Sequence, residues 1–76
     1  MNIKILGTGC KKCNELEKKI KETISKHNIK ADVEKVEDIQ TIIGYGVMKT
    51  PAVVIDGKVV ASGRLLSESE ILELCQ

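Results

Sequence analysis

Tryptophan and phenylalanine are absent from this sequence, and Tyr45 is its one aromatic residue. A core without large rings must be built from Ile, Val and Leu, and a surface without them offers unpaired bases no platform for stacking. Charge of one sign is lacking as well: 12 Lys and Arg nearly cancel 11 Asp and Glu, for a net charge of +1. That balance creates no field for phosphate, so neither nucleic acid nor an anionic membrane is expected as a partner. Long apolar runs are missing too. The stretch from Ile3 to Leu6 is broken by Lys4 and ends at Gly7, far short of a signal core or a membrane span. Of the three cysteines, Cys10 and Cys13 lie only three apart and Cys75 stands alone. A secreted disulfide framework joins distant segments with an even count, so the expected setting is a reducing cytoplasm.

What is present reads as one small domain over residues 1–76, with 42% hydrophobic residues and no linker, repeat or low-complexity segment. Asn2 to Leu6 is predicted to be a strand, stopped by Gly7 and Gly9. From Lys11 to about His27 the apolar positions Cys13, Leu16, Ile20 and Ile24 recur at helical spacing. The opposite face of that helix carries Glu15/Lys19, Glu17/Lys21 and Glu22/Lys26, each with Glu four residues before Lys. Asn28 is a candidate helix stop. Ala31 to Val36 reads as a second strand, charged enough to lie at a sheet edge. Asp38 can cap a short helix through Ile39, Ile42 and Ile43, ending at Gly44.

Two further apolar runs, Ala52 to Ile55 and Lys58 to Ala61, flank Asp56-Gly57, a strong hairpin signal. Ser67 and Glu70 have capping-box spacing before Ile71, Leu72, Leu74 and Cys75. The expected order is β-α-β-α-β-β-α. A right-handed βαβ start followed by a hairpin makes an α/β fold with a four-stranded mixed sheet flanked by helices.

Cys10-Lys11-Lys12-Cys13 falls at the junction of the first strand and the first helix. A thiolate attacks disulfides and a thiol does not, and an ordinary cysteine, with a pKa of about 8.5, is mostly protonated at neutral pH. Unpaired N–H groups and the positive end of the helix dipole favour the anion at this junction. Lys11 and Lys12 add charge that solvent screens. Cys10, at the helix mouth, is the expected nucleophile. Cys13, a turn inside, is the expected resolving thiol. Pro51, the one proline, opens the apolar strand that starts at Ala52, where a missing N–H is tolerated; composition and spacing do not choose its isomer.

The segment Tyr45-Gly46-Val47-Met48-Lys49-Thr50-Pro51, with the strand and Asp56-Gly57 turn after it, resembles the part of thioredoxins that carries their cis-proline. Joined to Cys10-Lys11-Lys12-Cys13, it makes the whole chain similar to the small thioredoxin/glutaredoxin-like redox-active disulfide proteins of prokaryotes. The resemblance implies a thioredoxin-like fold and a protein disulfide oxidoreductase, an enzyme that uses its dithiol through a mixed disulfide and needs no cofactor or metal. It implies that Thr50 and Pro51 bind an extended substrate beside the cysteines, with Thr50 tuning the disulfide's potential. Partners would be protein disulfides and a reductase or thiol donor of unassigned identity, acting on a monomer. The chain departs from the thioredoxin pattern in three places. Gly9 stands where thioredoxin has Trp, Lys11-Lys12 replace Gly-Pro, and Lys4 replaces a buried Asp that carries protons. Ser62-Gly63-Arg64 loosely resembles the loop that glutaredoxins use for glutathione.

Two rival functions follow from the same motif. Small Cu(I) or Zn carrier domains also place C-x-x-C after a first strand, since soft thiolates select those metals. They have Met where Thr8 stands, their element order is β-α-β-β-α-β, and two cysteines make only half a zinc site. A non-catalytic binding module of thioredoxin-like fold is the other rival, though a pure scaffold gains nothing from a reactive thiolate. Among the remaining residues, Cys75 reads as a quiet core thiol. His27 suits the negative end of the first helix. Tyr45 reads as a packing residue, and Lys4 as a stem laid on the sheet with its amine in water.

Overall fold

The computed structural model describes residues 1–9 and 11–75. Seven elements follow in the expected order: β1 (Asn2–Leu6), α1 (Lys11–Lys26), β2 (Asp32–Val36), α2 (Ile39–Gly44), β3 (Ala52–Ile55), β4 (Lys58–Ser62) and α3 (Glu68–Leu74). The strands form one sheet in the order β2-β1-β3-β4. β1 pairs parallel with β2, Ile3 opposite Val33, and antiparallel with β3, Ile5 opposite Val53. β3 and β4 form the hairpin. The charged strand β2 does lie at an edge.

Both faces of the sheet are covered, and this explains why neighbouring Ile5 and Leu6 are both buried rather than alternating. On one face Ile3, Ile5 and Val53 meet Leu16 and Ile20 of α1, with Leu66 and Ile71 of the C-terminal segment. On the other, Leu6, Ala52 and Val54 meet Ile42 and Val47. Each fully buried Leu, Ile or Val contributes about 1.5–3 kcal/mol, and such aliphatic side chains make up most of this core.

Local signals set the ends of the elements. Asn28 has φ of 53°, the left-handed turn of a helix C-cap. Ile29 N–H then bonds Ile24 O at 3.0 Å and Asn28 N–H reaches Ser25 O at 3.4 Å, closing the orphan carbonyls of α1. Asp56 and Gly57 both take positive φ, 49° and 85°, as the tightest hairpin turn requires. Val53 pairs with Ala61 and Val54 with Val59, leaving Val60 as the extra residue of a bulge. Ser67 and Glu70 form the reciprocal capping box, with Glu70 N–H to Ser67 Oγ at 3.2 Å and Ser67 N–H to Glu70 Oε1 at 3.1 Å.

Two expectations need correction, and α2 adds a detail the sequence left open. β2 starts at Asp32, because Ala31 packs on the core without joining the ladder. In α2, Asp38 caps Thr41 N–H at 3.1 Å as expected, but of the three isoleucines only Ile42 is buried. Ile39 and Ile43 are 60% and 65% exposed, since so short a helix turns one position inward. The charged face of α1 is only partly self-paired: Glu17 and Lys21 meet at 3.5 Å, whereas Lys26 turns to Glu68 of α3 at 3.3 Å.

Candidate functional site

The site is built where β1 ends and α1 begins. Cys13 lies on the inward stripe of α1 with Leu16 and Ile20, and it is completely buried. Its sulfur fills the space beside Gly7. A Cβ added to Gly7 would fall inside 3.0 Å of Cys13 Sγ, 3.1 Å from Cys13 Cβ and 3.9 Å from Thr50 Cβ. Gly7 is itself buried, and its N–H donates to Val36 O at 2.9 Å. The structure thus brings together Cys13 and Thr50, two of the sequence-predicted site residues, around a glycine. Cys10 lies outside the described residues.

Thr50 is exposed and Pro51 is buried, joined by a cis peptide bond. Pro51 O accepts from Gly63 N–H at 2.9 Å, so the loop after β4 is tied to the segment before β3. Gly63 also crowds this segment: with φ of 73°, its missing Cβ would stand 2.9 Å from Lys49 Cβ. The Ser62-Gly63-Arg64 stretch therefore borders the site. Arg64 is committed elsewhere, its Nη1 donating to Glu70 Oε2 at 2.5 Å. Glu70 is held below its usual carboxylate range first by the Ser67 N–H and then by Arg64.

Electrostatically the start of α1 is positive. Its first turn has no acidic residue, and Lys11 and Lys12 are exposed. Lys4 is on the face of the sheet away from α1, with Tyr45. Its Nζ donates to the Tyr45 hydroxyl at 3.4 Å, so the amine is not simply left in water as its stem suggested. Tyr45 is half-buried against Leu6, Ile42 and Val47, the packing role expected of it. Among the described residues no three His, Cys, Asp or Glu side chains converge on a common point, and no helix is long and apolar enough to cross a membrane.

Gly7 reads from the sequence only as a strand stop, and its place beside Cys13 is visible only in the fold. No local signal marks that contact, which joins a strand end to the inward face of the next helix. His27 likewise reads from the sequence as serving its own helix, whereas in the fold its Nε2 meets Glu68 Oε1 at 3.0 Å.

Similarity to known proteins identifies the family. A family model described as a thioredoxin domain matches residues 1–76. A thioredoxin of Methanothermobacter thermautotrophicus is 35% identical over 74 residues, covering 97% of this chain and 96% of its own. A thioredoxin of Methanocaldococcus jannaschii is 38% identical over 71 residues, covering 93% of this chain and 81% of its own. The sheet order, the covering helices and the likeness along nearly the full length agree, and the chain belongs to the thioredoxin-domain family of thiol–disulfide oxidoreductases.

Proposed function

We propose that the chain reduces protein disulfides through Cys10 and Cys13, as one thioredoxin-like domain acting as a monomer in a reducing cytoplasm. Cys10, as the thiolate, attacks one sulfur of a substrate disulfide. A mixed disulfide forms and the first substrate sulfur leaves as a thiolate that takes up a proton. Cys13 then loses its proton and attacks Cys10 Sγ. The Cys10–Cys13 disulfide forms, the second substrate thiol is released, and two electrons have passed to the substrate. A reductase or small dithiol restores the pair. Thr50 and Pro51 receive the extended substrate beside the cysteines.

The observation that supports this most is the seating of Cys13. Its sulfur is buried at the first turn of α1 and within reach of the Thr50 segment, in a protein whose relatives are thioredoxins. A buried resolving thiol is shielded from bulk oxidants yet stands beside the strand end that leads into residue 10.

Reduction of insulin by dithiothreitol tests the reading. Wild type should accelerate it, Cys10→Ser should abolish the acceleration, and Cys13→Ser should accumulate the mixed disulfide. Equal rates for wild type and Cys10→Ser would remove the enzyme reading, and tight Cu(I) uptake without turnover would replace it with metal carriage.

A further inference from the structure

Gly7 differs from the glycines kept for their backbone freedom. Its φ lies outside the left-handed region, whereas Gly9, Gly46, Gly57 and Gly63 all have positive φ. What position 7 lacks is space. The N–H bond to Val36 O fixes its backbone in line with β1, and the Cβ it does without would overlap Cys13 Sγ. Nothing lies within 4 Å of the equivalent point at Gly9, so the crowding belongs to position 7. The helix cannot slide away from it, because Leu16 and Ile20 lock α1 into the core on the same stripe as Cys13.

We propose that Gly7 is a positioning residue for the dithiol chemistry: its missing side chain is the seat of Cys13's sulfur, and a Cβ there shifts the Cys10–Cys13 equilibrium toward the dithiol. The inference rests on the proposed pairing of Cys13 with Cys10. Atoms of this kind keep about 3.5–4.0 Å apart, so a methyl group at position 7 displaces the sulfur by about 1.5 Å. A thiol relieves part of that by turning to another staggered rotamer, although the 3.1 Å approach to Cys13 Cβ stays. A disulfide has no such freedom, since its S–S bond is about 2.05 Å and its Cβ atoms must stay about 3.5–4.5 Å apart. The penalty therefore falls mainly on the oxidised form.

The test equilibrates reduced protein with oxidised dithiothreitol. Two thiols become one S–S bond, and two electrons and two protons pass to dithiothreitol, which becomes the dithiol. Wild type, Gly7→Ala and Gly44→Ala are compared by alkylation and mass. Gly44 is the control because a Cβ there meets nothing within 4 Å. Gly7→Ala should lower the constant for disulfide formation at least about tenfold, which is about 30 mV toward a more oxidising pair, while Gly44→Ala stays within about twofold. Thermal melts of reduced protein with and without Cys13→Ala supply the second arm. Gly7→Ala should lower Tm less once the sulfur is gone, and a Gly7→Ala protein too unstable to fold should be rescued by Cys13→Ala.

An unchanged equilibrium in Gly7→Ala, or a destabilisation that is the same with and without the sulfur, overturns the seat. A wild type that forms no Cys10–Cys13 disulfide overturns the proposed function beneath it, and the two failures are told apart by that first measurement.

Discussion

His27, just past the end of α1, holds Glu68 in the first turn of α3, with Nε2 and Oε1 3.0 Å apart. Lys26 reaches the same oxygen at 3.3 Å. Two residues of one helix end thus tie down the start of another helix, across 41 positions of sequence.

A pH dependence follows from that clasp. Glu68 is held below its usual 4.5, first by the hydrogen bond from His27 and then by Lys26. The folded protein favours the carboxylate more than the unfolded chain does, so this contribution is complete above the unfolded value. It is lost as pH falls through the lower, folded one. Melts taken from about pH 7 to about pH 3 should show wild type above Glu68→Gln at neutrality and the two converging in acid. A gap that stays constant over the range would assign the effect of the substitution to something other than this carboxylate. The groups are exposed, so the gap will be small.

The capping box makes a larger claim. Ser67 Oγ and the Glu70 carboxylate satisfy each other's backbone N–H groups, at the entry of a helix only seven residues long. Ser67→Ala should cost about 1 kcal/mol in urea unfolding, and Ser67→Asn much less. Equal losses for the two would mean that the cap is not what the serine supplies.

Leu16 is completely buried between α1 and the sheet. Leu16→Ala should cost about 2–5 kcal/mol, much of the roughly 5–15 kcal/mol a domain typically has. Val59→Ala, at a 38% exposed position, should stay near the roughly 0.5 kcal/mol typical of surface substitutions. Chemical denaturation of both variants measures the contrast, and a cheap Leu16→Ala would show that the face under α1 is loosely filled.

Cys75 caps α3 half-buried, and burial pushes its thiol above the ordinary cysteine range. In a Cys10→Ser/Cys13→Ser background it should react with iodoacetamide at neutral pH at least about tenfold slower than an unstructured peptide thiol. Peptide-like labelling would mark it as an exposed, reactive thiol after all.

How much could be read without the structure varies with the range of each interaction. Asn28, Asp56-Gly57 and the Ser67/Glu70 pair act on backbone groups within a few residues of themselves, and each does in the fold what its residue type and position imply. The stripe Cys13, Leu16, Ile20 and Ile24 marks the inward face of α1 for the same reason, since helical spacing alone puts those positions together. Thr23 escaped that pattern: buried at 3% exposure, it is satisfied by its hydroxyl donating to Lys19 O at 2.8 Å. Ile39 and Ile43 are apolar by type yet turn outward on a helix with room for one buried position, an orientation that no local signal decides.

Periodicity and capping chemistry, both local, determined the elements, their order and the place of the cysteine motif at a strand–helix junction. Contacts between distant segments were left for the tertiary structure to decide: that β1 takes β3 as its second neighbour, that Lys26 and His27 serve Glu68, that Lys4 finds Tyr45, and that Gly7 makes room for Cys13. The reason is physical. A turn or a cap is an energy of adjacent residues, whereas a space beside a sulfur exists only after a strand and a helix have been packed together.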